Sequence, residues 1–136
     1  MKKRYLVVPA ALLLLAGMYM GNNDQPKLSS AEKNEVIIRA KNFIRRINRR
    51  EYESCYSLFD GKLKESMTLE QMAQTFDRIL DSIGSFEKFK GISVNLHESP
   101  EEDYVVCSIK CDYSLGSATY TISFNQKLEI GGLYIK

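Results

Sequence analysis

Four tyrosines, Tyr52, Tyr56, Tyr113 and Tyr120, are the side chains best placed for chemistry, because the local periodicity turns each of them toward the interior. A buried phenol beside a carboxylate is a pairing that proton-transfer sites use, one as oxyanion donor and the other as base. The base is missing here. Asp112 lies on the strand face opposite Tyr113, and Asp77 and Asp81 fall on the polar side of their helix. His97, the one histidine, ends a strand on its polar face beside a loop and reads as exposed. Together with Phe76, the four tyrosines are therefore candidates to line a ligand pocket, and no residue is assigned a catalytic role.

Sulfur and oxygen ligands do not make a metal site either. Cys107 and Cys111 sit four apart in a strand-like run, which sets their Cα atoms about 13 Å apart on one face, whereas a disulfide needs about 5.5 Å. They cannot pair with each other. Both read as small buried hydrophobes beside Val105 and Ile109, and a bridge from Cys55 to one of them is the alternative. A single histidine and no close cysteine pair in a turn argue against zinc. The loop Glu98 to Asp103 carries four acids and Pro100 but lacks the spaced oxygen ligands and turn glycine of a calcium site. No metal or cofactor is expected.

Charge is concentrated at Arg39, Lys41, Arg45, Arg46, Arg49 and Arg50, six cations within twelve residues and no acid among them. One reading is a solvated helix flank whose long side chains cover apolar neighbours. The other is contact between Arg45, Arg46, Arg49 and Arg50 and an anionic lipid or cell-wall polymer. Nucleic acid is not an expected partner. Of the 19 basic residues Lys2, Lys3 and Arg4 lie in the leader, so the rest of the chain holds 16 against 17 acidic residues.

The elements that must position these groups begin after that leader. Met-Lys-Lys-Arg precedes Tyr5 to Met20, an uncharged run with five leucines, and then a polar stretch, which is the pattern of an export signal. Residues 1–21 are read as a signal-anchor helix, or a signal peptide if cleaved, and 22–30 as a linker. The domain, 31–136, then lies outside the cell membrane as a single-pass protein under the positive-inside rule, or is secreted after cleavage. Ser29 with Glu32 forms a capping box for a helix whose inward residues are Val36, Ala40, Phe43, Ile44 and Ile47, with Ile38 on the opposite side. Glu51 to Asp60 reads as a short helix ended by Gly61, and Lys62 to Met67 as a link.

The best-marked element is the next. Leu69, Met72, Ala73, Phe76, Ile79, Leu80 and Ile83 share one stripe about 120° wide, Thr68 and Gln71 form a capping box, and Gly84 ends the helix. Beyond Phe86 the period changes to two. Ile92, Val94 and Leu96 alternate with polar residues, then Tyr104 to Tyr113, then Ala118 to Phe124, then a last strand bent at Gly131-Gly132. Three helices followed by four strands predict an α+β fold, with N-terminal helices packed on a curved four-stranded antiparallel sheet. The polar strand face Thr119, Thr121, Ser123 and Asn125, flanked by Tyr104 and Val106, is either solvent surface or a homodimer face.

Several local patterns in this order resemble an uncharacterised bacterial domain-of-unknown-function family of the nuclear transport factor 2-like (cystatin-like) superfamily. They are Phe43 to Asn48 leading into Glu51-Tyr52, Leu58-Phe59-Asp60, the Thr68-Leu69-Glu70-Gln71 helix start, Leu80 with Gly84-Ser85-Phe86, the Tyr104 strand, and Phe124 followed by Ile130-Gly131-Gly132-Leu133. Arg50-Glu51 stands where the family tends to show Gly-Asp before Tyr52. The resemblance implies a cone-shaped α+β fold with a pocket that some relatives use for proton transfer and others for binding alone, and it brings no catalytic residues with it. The expected function is accordingly a membrane-tethered, extracytoplasmic, non-catalytic module that binds a small ligand, a protein or a second copy of itself. A pocket enzyme of the proton-transfer type is the alternative, as is a binder of anionic surfaces.

Overall fold

The computed structural model describes residues 28–136 and the backbone of Tyr5–Leu6. Apart from the two strand residues Tyr5–Leu6, the signal-anchor expected over 1–21 and most of the linker lie outside the described residues. Among the described residues no helix is long and apolar enough to cross a membrane.

Four helices come first: α1 (Ser30–Asn48), α2 (Tyr52–Tyr56), α3 (Gly61–Ser66) and α4 (Leu69–Ile83). Both expected capping boxes form, Ser29 with Glu32 on α1 and Thr68 with Gln71 on α4, so two otherwise orphaned N–H groups at each start are satisfied locally. The inward stripe of α1 is fully buried as expected, and Ile38 on the far side is 56% exposed. On α4 Met72, Phe76, Ile79 and Leu80 are buried, while Leu69 and Ile83 at the two ends of the helix and Ala73 at the margin of the stripe are half-buried.

One boundary differs from the expectation. Gly61 opens a helix and does not end one, and Lys62 to Met67 is largely helical, because the Asp60 carboxylate accepts the Leu63 N–H at 2.8 Å and caps α3. The chain therefore breaks after Tyr56 and restarts at Asp60.

The helices pack on a curved antiparallel sheet of four strands, β2 (Phe86–His97), β3 (Tyr104–Tyr113), β4 (Gly116–Phe124) and β5 (Ile130–Ile135), with the two-residue β1 (Tyr5–Leu6) added outside β5. α1 packs on β2, β3 and β4, and α4 packs on β4 and α2. The register sets Ile109 opposite Tyr120, Cys107 opposite Ile122 and Cys111 opposite Ala118 on the helix-facing side. Gly131 is the extra residue between the pairs Ser123–Gly132 and Phe124–Ile130, so the predicted bend in the last strand is a bulge.

Two alternation-based expectations need correction. His97 is only 3% exposed: it ends β2 directly opposite Tyr104, itself buried, where the chain folds back, and a period of two cannot register burial at such a reversal. On the face expected to be polar, Ser123 and Asn125 are buried, and Tyr104 and Val106 pack with Tyr134. Asn125 is consumed by its turn, its Oδ1 accepting the N–H groups of Lys127 and Glu129 at 2.9 Å each.

Candidate functional site

The way α1 ends decides where the tyrosines go. Arg50 N–H donates to the Ile47 carbonyl at 2.9 Å and Glu51 N–H to the Arg46 carbonyl at 3.0 Å, the paired bonds of a Schellman motif. The residue that must then turn left-handed is Arg50, with φ of 61°, a position glycine fills at no steric cost. What the arginine adds is a pair of contacts across the molecule, Nη1 to Asp77 Oδ1 at 2.7 Å and Nη2 to Asp81 Oδ1 at 3.1 Å.

Asp77 is shared. The Tyr52 hydroxyl donates to the same Oδ1 at 2.7 Å, and the Tyr52 ring stacks on Phe76 with centroids 6.2 Å apart. Burial, and next the bond to Asp77, hold the Tyr52 phenol protonated well above its ordinary range. A Tyr–Asp pair thus exists, but the carboxylate accepts two hydrogen bonds and faces a guanidinium, which makes it an anchor for the loop rather than a free base. Between α2 and the start of α4 lies an open groove of about 840 Å³, lined by Arg50 to Ser54 and by Thr68, Leu69, Glu70 and Ala73. Tyr52, Leu69 and Ala73 supply its apolar floor, and Glu53 and Glu70 are exposed in its lining.

The other candidate tyrosines are spent elsewhere. Tyr56 donates to the carbonyl oxygens of Met67 at 2.9 Å and Lys64 at 3.1 Å, tying α2 to the end of α3. Tyr113 and Tyr120 are both buried, and their hydroxyls meet at 2.8 Å. Tyr113 gives its single proton to Asn48 Oδ1 at 2.7 Å, so Tyr120 must be the donor to Tyr113. Asn48 Nδ2 is buried with no partner among the described residues. The order of donors predicts that Tyr113→Phe costs about 1–3 kcal/mol, since it orphans both the Tyr120 proton and the Asn48 carbonyl. Tyr120→Phe leaves the bond to Asn48 in place and is expected to cost less, although Tyr120 is the more buried; paired urea melts check the ranking.

The three cysteines are free thiols, all buried, and burial pushes each up to about 12 from 9.0. Burial likewise lifts Tyr113 to about 12 from 10.0. These groups bind their protons more tightly folded than unfolded, so their contribution to stability is full below pH 9 and is lost as pH rises through 12. Urea midpoints measured across this range are expected to be level up to about pH 9 and to fall steadily above it.

The basic run of α1 does not present as one patch. Arg39 pairs with Glu35, Arg49 with Glu51, and Arg50 with Asp77 and Asp81, while Arg46 donates to Ser54 Oγ at 2.9 Å. Lys41 and Arg45 lie 5.2 and 5.3 Å from the Phe89 ring of β2. No cluster of three or more metal-ligating side chains occurs among the described residues.

The profile of a protein family described as "Protein of unknown function (DUF3887)" matches residues 40–133, which spans α1 to β5 and both walls of the groove. A solved structure described as "NMR structure of protein from Ruminococcus gnavus ATCC 29149" is similar in fold, with a TM-score of 0.67 and 21% identity over 83% of this chain and 98% of that one. No curated protein matches.

Proposed function

The chain belongs to the DUF3887 family, and from that premise we propose that it is a non-catalytic binding module that takes a ligand or a peptide in the groove between α2 and α4. The observation that carries the reading is the contrast between that groove and the interior. The groove is open, of ligand size and apolar at its base, and the Arg50–Asp77–Tyr52 contacts hold its wall in place before anything binds. Inside the fold, the Tyr113 and Tyr120 hydroxyls and Asn48 Oδ1 bond one another, with no carboxylate among their hydrogen-bond partners in the described residues.

The leader supports a tethered, extracytoplasmic position for this module. The helices laid on a curved sheet support a place in the nuclear transport factor 2-like superfamily, whose cone-shaped members include binders as well as enzymes. Native mass spectrometry on the full chain released from detergent micelles tests the binding. A bound mass that disappears in Leu69→Lys, which puts a charge on the groove floor, is the expected result. A bare mass from wild type purified out of its own cell envelope, or a bound mass indifferent to Leu69→Lys, overturns it.

A further inference from the structure

The two edges of the sheet are treated differently. β5 is blocked at the start of its outer side, where Asp60 N–H donates to the Ile130 carbonyl and Ile130 N–H to the Leu58 carbonyl at 2.8 Å each. β2, twelve residues long, has β3 on one side and no strand on the other among the described residues. Such an edge carries a row of unpaired N–H and C=O groups that accept another strand. Its two halves are not alike. Register shifts interrupt Phe86 to Ile92, whereas Ile92–His97 pairs with β3 without a break. Ile92, opposite buried Ile109 and hence on the helix-facing side, is nonetheless 39% exposed.

Charge is split along the same strand. The interrupted half carries exposed Lys88 and Lys90, with Lys41 and Arg45 of α1 beside Phe89, against two acids, Glu87 and the Asp112 of β3 that lies 3.6 Å from Lys90. The regular half runs directly into the loop bearing Glu98, Glu101, Glu102 and Asp103. A strand that is basic at its start and acidic just past its end complements itself when paired antiparallel.

We propose that β2 is a homodimer interface, in which Ile92–His97 of two copies pair antiparallel and join their sheets into one. Directly opposed residues share a face, so the twofold axis passes between the two Val94 residues, with Ile92 opposite Leu96 of the second copy. Continuing that register brings Lys90 opposite Glu98 of the second copy and Lys88 up to the acidic loop that follows it, and the symmetry repeats both at the other end. The exposed flank of Ile92 is covered in the same step. This surface is separate from the groove, so the pairing stands or falls independently of what the groove binds.

Charge exchange tests it. Sedimentation of the full chain in density-matched detergent is expected to show a dimer at micromolar concentration. K88E/K90E and E98K/E101K are each expected to raise the dissociation constant by about tenfold or more, because each sets like charges opposite at both ends. Mixing the two variants restores opposite charges at both ends and is expected to restore the dimer. All four positions are exposed. A variant whose circular dichroism departs from wild type is replaced by its neutral counterpart, K88Q/K90Q or E98Q/E101Q, which removes the attraction without adding repulsion. A monomeric wild type, a dimer unmoved by either variant, or variants that stay apart on mixing overturns the proposal.

Discussion

Phe76→Ala is expected to destabilise the chain by about 3–5 kcal/mol, the usual cost of truncating a fully enclosed phenylalanine. Phe76 is completely buried at the centre of the α4 stripe, and its ring is the surface on which Tyr52 stacks. The loss has two parts. Transfer of the ring from the interior is forfeited, and the space left between α4 and the sheet collapses only partly, since the neighbours belong to separate, already packed elements. In a domain of this size the change corresponds to a fall in Tm of well over about 10 °C. Phe76→Leu keeps most of the volume and is expected to cost less than about 1.5 kcal/mol. Urea denaturation of the three proteins checks the ordering, and a Phe76→Ala cost as small as that of Phe76→Leu would show that α4 is free to settle onto the sheet.

The second large effect is a backbone one. Gly84 leaves α4 with φ of 87° and ψ of −152°, a conformation nearly confined to glycine. A Cβ there would lie 2.2 Å from Ser114 Oγ and 3.2 Å from the Leu115 backbone nitrogen. Ser114 Oγ is not free to swing away at no cost, because it accepts the Ser85 N–H at 2.9 Å, and the neighbouring Leu115 N–H is bonded to the Ile83 carbonyl at 2.8 Å. Gly84→Ala therefore combines strain of about 1–3 kcal/mol with the weakening of a hydrogen bond, for a total of about 2–4 kcal/mol. Gly61→Ala is the matched control. No atom lies within 4 Å of a Cβ at Gly61, which opens α3, so stability there is expected to hold or to rise slightly.

What could be read in the residues alone follows from how far apart the interacting partners are. The capping boxes join residues three apart, and the stripes of α1 and α4 repeat within a few turns, so both helices, their faces and the switch to strands at Phe86 were legible. So was the bulge, because Gly131-Gly132 interrupts an otherwise apolar strand. Reading Gly61 as a stop hides the helix that Asp60 caps, although aspartate before a short polar helix is itself a cap signal. The groove could not be read at all. Its wall depends on Arg50 and Tyr52 reaching Asp77 and Asp81 across 25 to 31 residues of chain. Periodicity places those aspartates on the solvent side and has no means of showing that another element arrives there. Tyr113 and Tyr120 are buried and Tyr52 and Tyr56 half-buried, but which of the four meets a hydroxyl, a carbonyl or a carboxylate is fixed only by packing.

The cover over β5 has a consequence for growth. A sheet with two bare edges is a monomer unit for a fibre, since each addition exposes a fresh edge identical to the one just filled. Leu58 to Asp60, pinned by the α3 cap and hydrogen-bonded on both sides of Ile130, blocks the start of one of those edges. On the proposed pairing, strand addition at β2 would end after a single partner wherever that segment keeps a further strand off β5, so the same short segment that starts a helix would also limit growth of the sheet.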